Sequence, residues 1–91
     1  MQKSTFSHEY TVMRKLLQEH RKRAQLTQAE VAMRVDETQS YVSKVERGER
    51  RLDLVQLRHF CSALGVSLNE FVSMFEDRVG TKKAGRTLRR S

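Results

Sequence analysis

The chain has 91 residues and a mass of 10.7 kDa, with 18 Lys and Arg against 11 Asp and Glu, a net charge of +7 and an apolar fraction of 37%. That is material for one small core; it excludes a second domain or a large enclosed pocket, and no stretch approaches the roughly 20 apolar residues that span a bilayer. A single cysteine, Cys61, excludes an internal disulfide framework, and the opening MQKSTFSHEY lacks the apolar core of a signal peptide, so a reducing cytoplasm is the expected compartment and a polyanion the expected partner.

The chain contains no proline, and helix start and stop signals recur along it. Ser7, with Glu9 in the first turn, opens a first helix over about 8–24, whose stripe is Tyr10, Met13, Leu17 and Ala24 with Leu16 beside it. Thr27 and Glu30 have capping-box spacing and open a second helix over 28–35, with Val31, Ala32 and Val35 as its apolar face. Thr38 caps a third over 39–47, which Gly48 ends. Asp53 and Gln56 open a fourth over 54–64, carrying Leu54, Leu57, Phe60, Cys61 and Leu64 and stopped by Gly65. Ser67 and Glu70 open a fifth over 68–76, carrying Leu68, Phe71, Val72 and Phe75. No hairpin signal interrupts this series, so the predicted fold class is all-α.

The charge lies mostly at the C-terminal end. Residues 78–91 hold six basic side chains (Arg78, Lys82, Lys83, Arg86, Arg89, Arg90) and no acid, which leaves twelve basic and eleven acidic groups in residues 1–77. The expected organisation is a nearly neutral domain over 1–77 and a flexible basic tail over 78–91.

The third helix is the informative one. At roughly 100° per residue with Gln39 at 0°, Ser43, Arg47, Ser40 and Lys44 fall at about 40°, 80°, 100° and 140°. Tyr41, Val45, Val42 and Glu46 fall at about 200°, 240°, 300° and 340° on the same scale. Two valines anchor the helix, and the opposite arc offers amide, hydroxyl and cationic groups of the kind that read base edges: Gln pairs with adenine, Lys reaches guanine, Ser bonds either. An ordinary solvated face would have the same composition. The short capped helix before it and the linking residues 36–38 give helix-turn-helix spacing.

The ordered motifs Leu26-Thr-Gln-Ala-Glu-Val-Ala32, Ser40-Tyr-Val-Ser-Lys-Val-Glu-Arg-Gly48 and Leu64-Gly-Val-Ser67 resemble the phage repressor and Cro family, often called the XRE family. The resemblance covers roughly residues 11–76. It implies a five-helix, lambda-repressor-like domain with its helix-turn-helix at about 28–47 and the third helix in the DNA major groove. It further implies base-edge contacts from Gln39, Ser43 and Lys44, and base or backbone contacts from Thr38 and Ser40. Gln28, at the start of the second helix, is placed on a phosphate. Tyr41 either reaches a phosphate through its hydroxyl or packs inside. Arg47, Arg50 and Arg51 either hold the backbone or belong to a solvated loop partly neutralised by Glu46 and Glu49. Arg21 and Glu46 stand where the family has an interior ion pair, the alternative being that both are exposed. One departure is Asp36, where the family usually has glycine at positive φ.

Catalytic and metal chemistry find no support. His8, His20 and His59 are scattered, and His59 and Cys61 point to different faces of one helix. Cys61 reads as a small buried apolar residue, and no phosphate-gripping loop or paired carboxylates occur. The expectation is therefore a transcriptional regulator, most simply a repressor, with no enzyme activity, cofactor, small-molecule ligand or membrane attachment. Its expected partner is double-stranded DNA with a pseudo-palindromic operator. The fifth helix, through Phe71, Met74 and Phe75, offers a homodimer interface to which Phe6, Tyr10 and Val12 add; a wrapped monomeric core is the alternative. The rival function is an antitoxin or similar protein-interaction module that also binds its own operator.

Overall fold

The computed structural model describes residues 3–88, with side chains from His8 to Gly80. Five helices follow in order: α1 (Lys3–Arg23), α2 (Gln28–Arg34), α3 (Gln39–Arg47), α4 (Leu54–Leu64) and α5 (Leu68–Leu88). There are no strands among the described residues, as the all-α reading expects.

Start signals behave as the side-chain chemistry requires. Thr27 Oγ1 accepts from the Glu30 N–H at 3.0 Å while Glu30 Oε1 accepts from the Thr27 N–H at 2.8 Å. Asp53 with Gln56 and Ser67 with Glu70 make the same reciprocal pairs, and the Thr38 hydroxyl accepts from the Tyr41 N–H at 3.1 Å. Each satisfies N–H groups that a helix start leaves without partners.

The helix ends share one geometry. Gln25, Asp36, Gly48 and Gly65 all have positive φ, at 61°, 60°, 83° and 81°. In each case the next residue's N–H returns five positions, from Leu26 to the Arg21 carbonyl, Glu37 to Ala32, Glu49 to Lys44 and Val66 to Cys61. This is the Schellman closure. Glycine adopts the left-handed region without a Cβ clash, whereas Gln25 and Asp36 occupy it at a cost.

Two helix limits differ from expectation by more than one residue. α1 begins at Lys3, so Ser7 lies within it and is no cap. α5 continues past 76 to Leu88, through residues 78–88 of the segment read as a flexible tail; residues 89–91 lie outside the described residues. Glycine weakens a helix by about 1 kcal/mol but keeps its N–H, and without proline nothing at Gly80 or Gly85 breaks the ladder.

The core draws on every helix: Leu16 and Leu17 from α1, Val31 and Ala32 from α2, Tyr41, Val42 and Val45 from α3, Phe60, Cys61 and Leu64 from α4, and Phe71 from α5. Burying each large apolar side chain contributes about 1.5–3 kcal/mol. Ala24 and Leu54, placed on apolar stripes by their spacing, are exposed, because one follows the end of α1 and the other opens α4 where no helix covers it. Val72 is also exposed, at 39%. Phe71 is 1% exposed and packs beside His20, with ring centroids 6.1 Å apart. It belongs to the domain's own core and cannot form a dimer interface. Met74 and Phe75 are partly buried against that core, and Phe6 lies outside the described side chains. No described helix is long and apolar enough to cross a membrane.

Candidate nucleic-acid interface

α3 is held from behind by α1 and α2. Val42 and Val45 are fully buried, and Tyr41 and Glu46 are 8% and 7% exposed. Gln39, Ser40, Lys44 and Arg47 are exposed and Ser43 is half-buried. The division follows the arc read from spacing: every buried position lies on the valine side, every exposed one opposite. Thr38, at the foot of the helix, is exposed while its hydroxyl serves as the cap.

Glu46 joins this helix to α1 and α2. Arg21 donates Nε to Glu46 Oε2 at 2.6 Å and Nη2 to Oε1 at 3.0 Å, and Oε1 also accepts from Gln18 at 3.3 Å and Gln28 at 2.9 Å. The pair is interior, the first of the two alternatives, with side-chain exposures of 12% for Arg21 and 5% for Glu46. Burial alone would raise the Glu46 carboxyl, but the Arg21 and Gln28 hydrogen bonds, the Arg21 charge and the Gln18 amide outweigh it and hold it below the usual carboxylate range. Gln28 is thus engaged inward, and its Oε1 accepts from Gln39 Nε2 at 3.5 Å.

Beyond α3, residues 48–53 form a loop bearing Arg50 and Arg51, both exposed. Arg47 reaches ahead to Glu49 with bonds of 3.0 and 2.9 Å and back to the Ser43 hydroxyl. Glu49 therefore offsets Arg47, an exposed pair of small net value that a phosphate can replace. Glu46 neutralises none of the loop, since Arg21 holds it inside. The Arg50 guanidinium lies 4.8 Å from the Tyr41 ring centroid. Tyr41 itself packs on Phe60, centroids 6.1 Å apart, and its slight exposure fits the packing alternative.

Several contacts at this site carried no sequence signal. Arg14 donates Nη1 to the Glu46 carbonyl at 2.7 Å, closing the end of α3, and Arg34 donates to the Ala63 carbonyl at 2.9 Å, closing α4. A Cβ at Gly48 would come within 2.8 Å of Arg14 Nε, so a substitution there displaces the Arg14 side chain in addition to straining φ. Arg78, counted with the tail, pairs with Glu19 of α1 at 2.7 and 3.1 Å.

Among the described residues, no cluster of His, Cys, Asp and Glu is arranged to hold a metal ion. Cys61 is fully buried, and burial pushes its thiol up to about 11, which keeps it protonated at neutral pH.

The family model described as helix-turn-helix matches residues 17–71, more than half of the chain and all of α2, α3 and α4. The chain belongs to the XRE helix-turn-helix family. It is accordingly a DNA-binding transcriptional regulator and not an enzyme. Over 62 residues, this XRE-family chain is 32% identical to the control protein C.MunI of a Mycoplasma species, covering 68% of the chain and 84% of that protein. An XRE-family-like protein from Pseudomonas syringae pv. tomato strain DC3000 superimposes with a TM-score of 0.79 at 36% identity, over 85% of this chain and 94% of that one. The restriction-modification controller protein C.Esp1396I shares the fold, with a TM-score of 0.73 at 22% identity over 78% and 93% of the two chains.

Proposed function

We propose that the protein is a controller-type regulator that binds a pseudo-palindromic DNA operator as a homodimer in the cytoplasm, each α3 lying in the major groove. The observation that carries this reading is the two-sided character of α3: buried Val42 and Val45 on one side, exposed Gln39, Ser40, Lys44 and Arg47 on the other. Gln39, Ser43 and Lys44 read base edges, and Thr38 and Ser40 touch bases or nearby phosphates. Arg47, Arg50 and Arg51 hold the backbone, Arg47 exchanging Glu49 for a phosphate. Gln28 reaches a phosphate from the start of α2 while braced on Glu46. The likeness to C.MunI supports the controller reading. A domain of this size acts most simply by occupying a promoter, that is, as a repressor.

Two α3 helices on half-sites one turn apart stand about 34 Å from each other. For the self-association this requires, α5 offers exposed Val72 with partly buried Phe75 three residues on, Met74 lying on another side of the helix.

Selection of bound sequences from random duplex DNA tests the reading. An enriched, two-fold symmetric motif is expected, with Gln39→Ala or Lys44→Ala relaxing preference at particular positions by about 1–3 kcal/mol. Binding without any enriched motif, lost uniformly as salt rises, would leave only a non-specific basic protein.

A further inference from the structure

The loop over 48–53 has no regular structure, yet its backbone and both of its arginines are held by tyrosines. Tyr10 of α1 places its hydroxyl between two loop groups, donating to the Arg50 carbonyl at 3.4 Å and accepting from the Leu52 N–H at 3.0 Å. Its ring lies beneath the Arg51 guanidinium, 4.4 Å from the centroid, as the Tyr41 ring lies beneath Arg50. One helical turn along α1, Arg14 grips the Glu46 carbonyl and abuts Gly48. The start and the middle of the loop are thus tied to the same stretch of α1.

We propose that Tyr10 is a positioning residue for DNA binding: its hydroxyl fixes the loop backbone and its ring fixes the attitude of Arg51, so that Arg50 and Arg51 meet the DNA backbone already ordered. This rests on the placement of those arginines on DNA given above. Ordering groups before they bind removes an entropic cost that would otherwise reduce affinity. Because phosphate contacts carry little sequence information, Tyr10 governs affinity and leaves base preference alone, while the arginines themselves set the salt dependence.

The test compares the full chain with its Tyr10→Phe, Arg50→Ala and Arg51→Ala variants, titrated with the selected duplex at several salt concentrations. Phenylalanine keeps the ring and removes only the hydroxyl. For Tyr10→Phe, binding about three- to tenfold weaker is expected, as for loss of one or two hydrogen bonds, with an unchanged motif. Because Arg50 and Arg51 are still present, its slope of log affinity against log salt is expected to stay at the wild-type value, while each arginine variant makes the slope shallower by about one. Adding Tyr10→Phe to the Arg50→Ala/Arg51→Ala double variant should weaken binding no further. Affinity in Tyr10→Phe that falls only as the folded fraction falls, or that falls equally whether or not Arg50 and Arg51 are present, would overturn the positioning role; so would an altered motif. If the arginine variants themselves keep the wild-type slope, the placement of those arginines on DNA fails as well. Amide exchange at Leu52 gives a readout without any variant: protection in the free protein is expected, and exchange at the rate of an open loop overturns the proposal.

Discussion

Glu46 shows how one buried charge is made tolerable. Its carboxylate accepts two bonds from Arg21 and one each from Gln18 and Gln28, so both oxygens are satisfied and the charge is balanced. Removing a partner from such a site is costly because the remaining charge cannot regain water. Arg21→Ala is expected to lower stability by about 3–5 kcal/mol in denaturant unfolding, and a loss below about 1 kcal/mol would show that water reaches the carboxylate. Asp36 poses the opposite case, a residue held at φ 60° that glycine would adopt more readily. Asp36→Gly is expected to stabilise the fold by roughly 0.5–1 kcal/mol, and a thermal melt with no gain would contradict strain at that position. The Asp36 conformation was legible only through comparison with a family pattern. That of Gln25 was not legible at all, since glutamine is no ordinary left-handed residue and its φ is imposed by the turn it closes.

At the level of elements, caps and periodicity located α3 and α4 to the residue, because those signals act within one or two turns. Thr38, Asp53, Gly48 and Gly65 each bond the helix they bound. α5 escaped this logic. Its basic, glycine-containing second half resembles a solvated tail in composition, but composition does not terminate a helix; a stop needs a residue that breaks the ladder. Ending the chain after Gly80 keeps the Arg78–Glu19 pair and removes Lys82, Lys83, Arg86, Arg89 and Arg90. Near-unchanged melting is expected, with weaker binding to all duplexes alike and a flatter salt dependence. A shift in the selected motif would mean that the removed segment reads bases.

Across the whole molecule, α1 is the element to which the others are fastened. Arg14 and Arg21 secure α3, Tyr10 secures the loop after it, and Glu19 receives Arg78 from α5. His20 packs on Phe71 with its Nε2 buried and without a hydrogen-bond partner among the described residues. Burial foremost, and then the Arg23 charge, hold His20 below its ordinary value of 6.5; Arg78 acts in the same direction, and Glu19 and Glu70 oppose it. A folded form that resists protonation loses stability as pH falls below the unfolded value. Stability is therefore expected to be greatest above about pH 6.5, to decline below it through His20, and to fall again below about pH 4.5 through Glu46. Urea unfolding between pH 8 and 3 reads both steps, and a constant stability from pH 7 to 5.5 would remove His20 from this account.

Residue order alone is enough for what short-range forces fix: five helices, the starts of four of them, and an α3 with a valine side and a polar side. These follow from backbone N–H groups seeking caps and from apolar side chains recurring at the helical period, both readable within a few residues. Where the long side chains go depends on the packing of the helices against one another. Arg14, Arg34 and Arg78 are interchangeable as sequence, yet their partners lie 32, 29 and 59 positions away. Likewise Phe71 and Val72 are adjacent apolar residues of one helix, and only the packing of α5 puts the first in the core and the second at the surface. A flexible side chain samples many directions in an isolated helix, and one of them is fixed only when the fold brings a charge, a carbonyl or a ring within reach.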